Sequence, residues 1–283
     1  MRSLRKPLRS LRLKTLCFFV SDIVSNALGD STSLFLASKN EISRIDKQSG
    51  KTLWKDNLPK NMTSSSSLFM NDTTVFMVNK GYAYMGNRGL YYGRPFIAAF
   101  DKQTGEQRYL TMIAEKNNSI QSFDFLENEI FCMFTNKLIK FHLETGNITF
   151  EKNFPKNIFG ALKYFSGNRV FINNDNDNFV NLWQNDSTKL YIFTDQNKLL
   201  IIDDQLNVEN TVEKDNIYIY NFGSKDYGFF SNAFSKERQT FVVNNDGTKI
   251  AELDVSSSAF ILNNILYDKR DKSFIVIDLK QIP

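Results

Sequence analysis

The sequence predicts an all-β fold, a β-propeller of six to seven four-stranded antiparallel blades whose ring is closed by an N-terminal strand. Three observations support this fold: a degenerate internal repeat, turn residues at regular spacing, and many short segments rich in aromatic and β-branched residues. The chain has 283 residues, of which 42% are hydrophobic and 26 are Phe, enough apolar surface for a large core.

The repeat is clearest in three copies. These copies span 42–54, 98–109 and 139–150. In each, a β-rich run meets a polar turn closed by Gly50, Gly105 or Gly146, and an aromatic residue follows four positions later. Glycine suits the φ > 0 position of a short hairpin loop, and Asp46 and Asp101 can accept hydrogen bonds from the turn backbone. Each copy therefore predicts the hairpin between the third and fourth strands of a blade.

Weaker copies extend the repeat along the chain. They occupy 200–208, 241–250 and 274–279. The turns at 50, 105, 146, 207 and 247 are separated by 55, 41, 61 and 40 residues, a basal period near 40 with two insertions. Between 158 and 190 there are four strand candidates but only one following turn. This segment is either a degenerate blade, giving seven blades, or a hairpin insertion, giving six.

The chain termini suggest how the ring closes. The last repeat lacks an outer strand, whereas the apolar segment 13–20 has no blade before it. We expect segment 13–20 to complete the last blade and so remove an exposed sheet edge. Residues 1–12 form a basic arm, interpreted as disordered or targeting, and 13–283 form a single propeller domain.

The turn pattern resembles a known repeat. A hydrophobic strand, Asp, two residues, Ser or Thr, Gly, and a later aromatic residue is similar to the pyrroloquinoline-quinone-like propeller repeat, which quinoprotein dehydrogenases share with noncatalytic proteins of the BamB type. The dehydrogenases carry a neighbouring cysteine pair, whereas Cys17 and Cys132 lie far apart here. The resemblance therefore implies a noncatalytic member, a protein-binding scaffold exported to the periplasm or outside the cell. The apolar run 16–20 is shorter than the core of a usual signal peptide.

Charge argues against nucleic acid as a specific partner. Six basic residues precede the first acidic residue, Asp22, so 29 basic residues oppose 31 acidic ones in the rest of the chain. Nucleic-acid binding needs Lys and Arg clustered on the folded domain. No segment approaches the roughly 18 apolar residues of a membrane helix. We expect a monomer that binds a protein or a carbohydrate-like ligand.

The first insertion is the leading candidate for a binding surface. It lies between the second and third strands of its blade and combines tyrosines, arginines and glycines, which suit sugars, anionic groups or a protein hot spot. The alternative is a long hairpin whose tyrosines pack on the neighbouring blade. Together with Trp183 of the second insertion, the predicted ligand-binding residues are Tyr82, Tyr84, Arg88, Tyr91, Tyr92 and Arg94.

The second insertion offers a weak metal site. Asn173, Asp175 and Asp177 place oxygen ligands at alternate positions, as at the start of a calcium loop. An EF-hand would then need glycine at 178 and glutamate at 184, where the sequence has Asn178 and Gln184. A solvated turn is favoured over a Ca²⁺ site, and no other cofactor is expected. We expect this loop to follow a second strand as well, so that loops 80–94 and 173–188 open on one face.

No residue pattern identifies a reaction. The only histidine, His142, takes the turn position of Asp46 and Asp101 in the other repeats, and no nucleophile motif such as G-x-S-x-G accompanies it. The sequence therefore predicts a non-enzymatic binding or scaffold protein that acts through loops 80–94 and 173–188. The alternative is a propeller enzyme of the lyase or hydrolase type, with an axial and metal-assisted site.

Overall fold

The computed structural model confirms the all-β fold class. It describes residues 23–38, 41–59, 65–85, 88–91, 93–114, 118–166, 170–173, 179–181, 188–234 and 239–281. Within these ranges the chain forms six antiparallel sheets of three or more strands and one separate two-stranded hairpin. Contacts divide it into two compact units, residues 1–119 and 120–283. The successive sheets are the predicted propeller blades.

The first unit contains two four-stranded sheets. The first has the order β1-β2-β3-β4, formed by Leu28–Gly29, Ser33–Ala37, Glu41–Asp46 and Thr52–Asn57. The second has the order β5-β6-β9-β10, formed by Ser66–Met70, Thr74–Asn79, Phe96–Asp101 and Gln107–Met112. The hairpin β7–β8, Tyr82–Met85 and Arg88–Tyr91, is inserted between β6 and β9. This is the predicted position, between the second and third strands of the blade.

The second unit begins with two further blades. Strands β11 to β14, which are Ser122–Leu126, Glu129–Met133, Lys137–His142 and Ile148–Asn153, pair in sequence order. A short helix α1, Lys156–Phe159, follows them. The next sheet has the order β15-β18-β19-β20, formed by Leu162–Phe165, Leu190–Thr194, Lys198–Ile202 and Val208–Glu213.

The last two sheets differ from the four-stranded pattern. Strands β16, Val170–Asn173, and β17, Phe179–Asn181, join a six-stranded sheet of order β17-β16-β21-β22-β23-β24. The other members of this sheet are Ile217–Gly223, Tyr227–Asn232, Gln239–Asn244 and Lys249–Asp254. The final sheet has three described strands, β25 to β27, which are Phe260–Leu262, Ile265–Arg270 and Ser273–Asp278. Short 3₁₀ turns at Lys214–Asn216 and Leu279–Gln281 complete the described elements.

The sheet order corrects one expectation and decides another. Residues 170–173 do not form the second strand of the blade that starts with β15, because β16 pairs with β21 of the next sheet. The loop after residue 173 therefore does not follow the second strand of its own blade, and that expectation was wrong. The segment is a hairpin insertion and not a degenerate blade. Among the described residues this gives six blades.

The middle strands form the core because both of their faces are covered. Every residue of β6 is buried, and so are the first five residues of β9. In the first unit a single cluster joins the two sheets through side chains such as Phe35, Met77 and Phe96. The outer strands β4 and β14 are largely exposed, in agreement with their polar sequences. The near-continuous apolar runs in the sequence therefore mark inner strands, as expected for stacked sheets.

The turn between the third and fourth strands is held by its aspartate. In the second blade the Asp101 carboxylate accepts hydrogen bonds from the Gln103 and Thr104 N–H groups, both at 2.9 Å, and Arg108 contacts it at 2.8 Å. The bonds from Thr104, Arg108 and Gln103, in that order, hold the pKa of Asp101 well below its ordinary value. The predicted role of this residue in the turn is confirmed.

Trp54 links the first blade to the turn of the second. Its indole ring lies against Gly105, where a Cβ atom would come within 2.6 Å of the ring, and its Nε1 donates to the Lys102 carbonyl at 3.1 Å. Arg44 donates to the Lys102 carbonyl at 3.2 Å and to the Gln103 side chain at 2.7 Å. Gly105 of the second repeat is therefore also the residue against which Trp54, the aromatic residue of the preceding repeat, packs.

The Gly105→Ala substitution tests this packing. Gly105 has φ 79° and Gly50, at the equivalent turn position, has φ 73°, so alanine strains both turns, and at 105 its Cβ also collides with Trp54. We expect Gly105→Ala to lower the free energy of unfolding by about 1–3 kcal/mol more than Gly50→Ala. Urea denaturation of the two variants measures the difference. Equal losses would show that Trp54 does not rest on this glycine.

The predicted closure by segment 13–20 lies outside the described residues and stays a prediction. It is tested by comparing deletion of residues 1–12 with deletion of residues 1–20. If the segment supplies a fourth strand to the last blade, the longer deletion lowers the Tm by several degrees and the shorter one leaves it unchanged, because only the longer one exposes a sheet edge. Equal melting temperatures for both deletions would exclude this closure.

Candidate functional site

The first insertion forms the predicted hairpin, but only part of its predicted site is described. Its register pairs Tyr82 with Tyr91 and Met85 with Arg88. Tyr82 is half-buried, and its carbonyl accepts a hydrogen bond from the Ser65 N–H at 2.8 Å, which anchors the start of the hairpin. Arg94 is exposed beyond its end. A binding role for this hairpin remains a prediction.

The other predicted site residues fall into two groups. Tyr84, Arg88, Tyr91 and Asn173 lie in strands whose backbone is described. Tyr92, Asp175, Asp177 and Trp183 lie outside the described residues. Within the described ranges no group of three or more His, Cys, Asp or Glu side chains could hold a metal ion. The weak Ca²⁺ site therefore remains a prediction. The common face of loops 80–94 and 173–188 also remains untested, but the strand assignment from which it was expected was wrong.

His142 is the last residue of β13 and takes the predicted position at the start of the turn. Its N–H donates to the Asn147 carbonyl at 3.0 Å, and its own carbonyl accepts from the Gly146 N–H at 2.8 Å. These are the backbone bonds that Asp101 makes with Glu106 and Gly105 in the second blade. The side chain of His142 does not reproduce the aspartate, since its buried Nδ1 atom makes no hydrogen bond among the described residues.

The second insertion builds a cavity that sequence reasoning did not predict. Strand β16 extends the sheet at β21, and the Phe179 N–H of β17 donates to the Gly247 carbonyl at 2.7 Å, in the turn between β23 and β24. The hairpin β16–β17 therefore contacts the sheet both at its edge strand and at a distant turn. Between hairpin and sheet lies an open cavity of about 560 Å³, called here the aromatic cavity.

Five aromatic rings form the walls of the aromatic cavity. They belong to Phe171, Phe179, Tyr220, Tyr227 and Phe230. Phe230 is central, because its ring centroid lies 4.6 Å from Phe171, 5.4 Å from Phe179 and 5.5 Å from Tyr220. The Phe171 and Tyr220 rings each meet Phe230 at 69°, a favourable edge-to-face geometry. The walls are thus held by contacts among the rings themselves.

Two strand glycines leave room for these rings. Gly223 and Gly228 are directly opposite each other on β21 and β22. A Cβ atom on Gly228 would lie 2.6 Å from Cε2 of Phe230, and one on Gly223 would collide with the Tyr220 hydroxyl. Glycine inside a strand often marks a close approach of other groups to the backbone. This pair was the one sequence signal that could have identified the cavity.

Polar groups gather at one end of the aromatic cavity. The turns after β21 and after β23 lie at the same end of the sheet, since Gly223 pairs with Gly228 and Tyr227 pairs with Asn244. The Asn244 Oδ1 atom accepts from the N–H groups of Asp246 and Thr248 at 3.0 and 2.9 Å, which fixes the second turn. Ser224, Asn245 and Asp246 also line this end. The cavity thus has aromatic walls and a polar rim.

A second cavity of about 560 Å³ is lined by charged residues, of which five are acidic and two are basic. The Lys140 ammonium lies 2.5 Å from Glu129, and the Lys189 ammonium lies 2.6 Å from Glu209. Asp203 is occupied as a turn residue, accepting from the Asn207 N–H at 2.6 Å. Three of the five carboxylates of this cavity therefore serve ion pairs or a turn.

Comparison with known proteins adds little to this geometry. No family model matches the chain, and no curated protein matches it. Among solved structures it is similar to BamB from Moraxella catarrhalis, at 12% sequence identity and a TM-score of 0.44, over 88% of this chain and 70% of that chain. Membership of the family that the sequence resembles stays a prediction. No helix in the described part of the chain is long and apolar enough to cross a membrane.

The Gly228→Ala substitution tests how tightly the aromatic cavity is built. Its Cβ would force the Phe230 ring away from its partners, so we expect a loss of about 1–3 kcal/mol of unfolding free energy and a change in the near-ultraviolet circular dichroism. Gly29→Ala is the matched control, because its Cβ would meet chiefly the flexible end of Lys47. Indistinguishable effects of the two substitutions would contradict this packing.

Proposed function

We propose that this protein is a non-enzymatic binding protein and that its ligand is held in the aromatic cavity. The observation that supports the proposal is the hairpin β16–β17, which interrupts the blade pattern and faces the sheet with aromatic rings. A hairpin needed only for stability would be expected to close on the sheet without a gap. The volume of about 560 Å³ is within the range of small-molecule sites.

The rings favour binding over sheet packing alone. Phe179 and Phe230 are buried, whereas Phe171, Tyr220 and Tyr227 are only half-buried and border the open space. Aromatic side chains bind ligands with large contact area and lose little conformational freedom. The two strand glycines maintain this arrangement although glycine weakens a strand. The stability given up at these positions is consistent with a role in binding.

The chemistry of the cavity favours recognition over catalysis. Its polar groups are amide, hydroxyl and backbone groups at two turns, together with the exposed Asp246 carboxylate. Such groups orient a ligand by hydrogen bonds, whereas acid–base catalysis needs a pair of groups with different proton affinities near the reacting atoms. Export and a monomeric state remain expectations from the sequence.

Saturation-transfer NMR with a fixed probe panel tests the proposal. The panel contains cellobiose, lactose, N-acetylglucosamine, tetramethylammonium, phenyl phosphate and indole. We expect at least one probe to receive saturation from the full-length protein and to lose it in Tyr227→Ala, which removes a wall of the cavity. Tyr267→Ala is the control, since Tyr267 is also half-buried but stacks on Phe260 in the last sheet.

One result of this experiment would refute the proposed function. If no probe shows saturation that depends on Tyr227, the aromatic cavity is not a ligand site and the proposal fails. Asn245→Ala guards against a folding defect, because Asn245 is an exposed turn residue at the rim and its removal leaves the core intact. A true ligand must bind at least threefold more weakly to this variant as well.

A further inference from the structure

We infer that the ligand of the aromatic cavity is a neutral sugar of one or two rings, an inference that rests on the proposed function. It follows from the charge, the shape and the distribution of polar groups in the cavity. Charge argues against an anionic ligand, ring geometry argues against a quaternary ammonium cation, and the distribution of polar groups matches a sugar. Together they describe an uncharged molecule with apolar faces and hydrogen-bonding edges.

Charge excludes anionic ligands. Among the described residues that line the cavity, Asp246 carries the only charged side chain, and the other polar groups are Ser, Asn, Tyr and backbone groups. Recognition of phosphate, sulfate or carboxylate relies on Arg, Lys or clustered backbone N–H donors. The Asp246 carboxylate at the rim repels phosphate, sulfate and carboxylate groups. The described lining therefore favours a neutral or cationic ligand over an anionic one.

Ring geometry argues against a quaternary ammonium cation. An aromatic cage for such a cation directs several ring faces to one point. Here the Phe171 and Tyr220 rings pack edge-to-face against Phe230, with centroids 4.6 and 5.5 Å away, so these rings contact one another and leave no gap for a cation between them. The Asp246 side chain is exposed, where solvent weakens its attraction for a cation. The volume of about 560 Å³ also exceeds what a single trimethylammonium group fills.

The distribution of polar groups matches a sugar. Sugar rings have C–H faces that pack on aromatic side chains and hydroxyl edges that exchange hydrogen bonds with amides, hydroxyls and carboxylates. The aromatic walls and the rim of Ser224, Asn244, Asn245 and Asp246 present these two surfaces side by side. The Asn244 Oδ1 atom is engaged with the turn, so this side chain is held in place at the rim. A ligand that contacts both surfaces must be amphipathic in the same way.

Isothermal titration calorimetry with the full-length protein tests the ligand class. The titrants are cellobiose, lactose and N-acetylglucosamine, with tetramethylammonium chloride and phenyl phosphate as comparators. We expect at least one sugar to bind, with a Kd that rises about tenfold or more in Tyr227→Ala and is unchanged in Tyr267→Ala. A sugar that binds equally well to wild type and Tyr227→Ala would overturn the inference.

The Asp246→Asn variant separates a neutral from a cationic ligand. Asparagine retains a hydrogen-bonding oxygen, so the Kd of a sugar should rise less than the Kd of a cation and should depend little on NaCl between 50 and 500 mM. A cation should lose about tenfold in affinity on this substitution and should weaken with salt. Asp246 is exposed at a turn, so this variant is expected to fold.

Failure of the sugar inference can be distinguished from failure of the binding function. If only tetramethylammonium, indole or phenyl phosphate binds, and Tyr227→Ala abolishes that binding, the cavity is a ligand site of another chemical class and the inference is wrong. If none of the NMR or calorimetry probes binds in a Tyr227-dependent manner, the proposed function itself fails.

Discussion

The fold depends on one repeated constraint, the return of the chain between the third and fourth strands of a blade. In the second blade the turn holds a left-handed glycine, Gly105, and an aspartate, Asp101, whose carboxylate accepts bonds from the turn backbone. The same glycine leaves space for the Trp54 ring of the preceding blade. Gly105 therefore serves both the turn of its own blade and the packing against the preceding blade. The strands of the two blades are positioned relative to each other through this residue.

The candidate site arises where this regularity is broken. After β15 the chain does not turn back into its own blade but forms the hairpin β16–β17, which pairs with the next sheet at β21. A main-chain hydrogen bond from Phe179 to Gly247 holds its second strand near a turn of that sheet. A regular four-stranded blade has no such hairpin. The insertion supplies a concave surface that the repeat by itself does not contain.

Charge is distributed differently between the turns and the aromatic cavity. Asp101 and Asp203 are used to hold turns, and the lysines of the charged cavity face carboxylates. The aromatic cavity instead has neutral walls and one exposed carboxylate, Asp246. The carboxylates of Asp101, Asp203, Glu129 and Glu209 thus serve structure, whereas the walls of the aromatic cavity present ring faces and uncharged polar groups.

The sequence by itself determined the all-β class, the blade turns and the position of the first insertion, because turn residues and strand periodicity act over a few neighbouring positions. It could not assign β16, whose partner β21 lies more than 40 residues further along the chain. From the sequence, the tyrosines of 80–94 were the predicted binding residues. Phe171, Phe179 and Phe230 gave no such signal, because apolar residues in a strand are ordinarily part of the core. Only tertiary structure decided that these rings border an open space, since a cavity depends on which strands pair and how far apart their side chains are held.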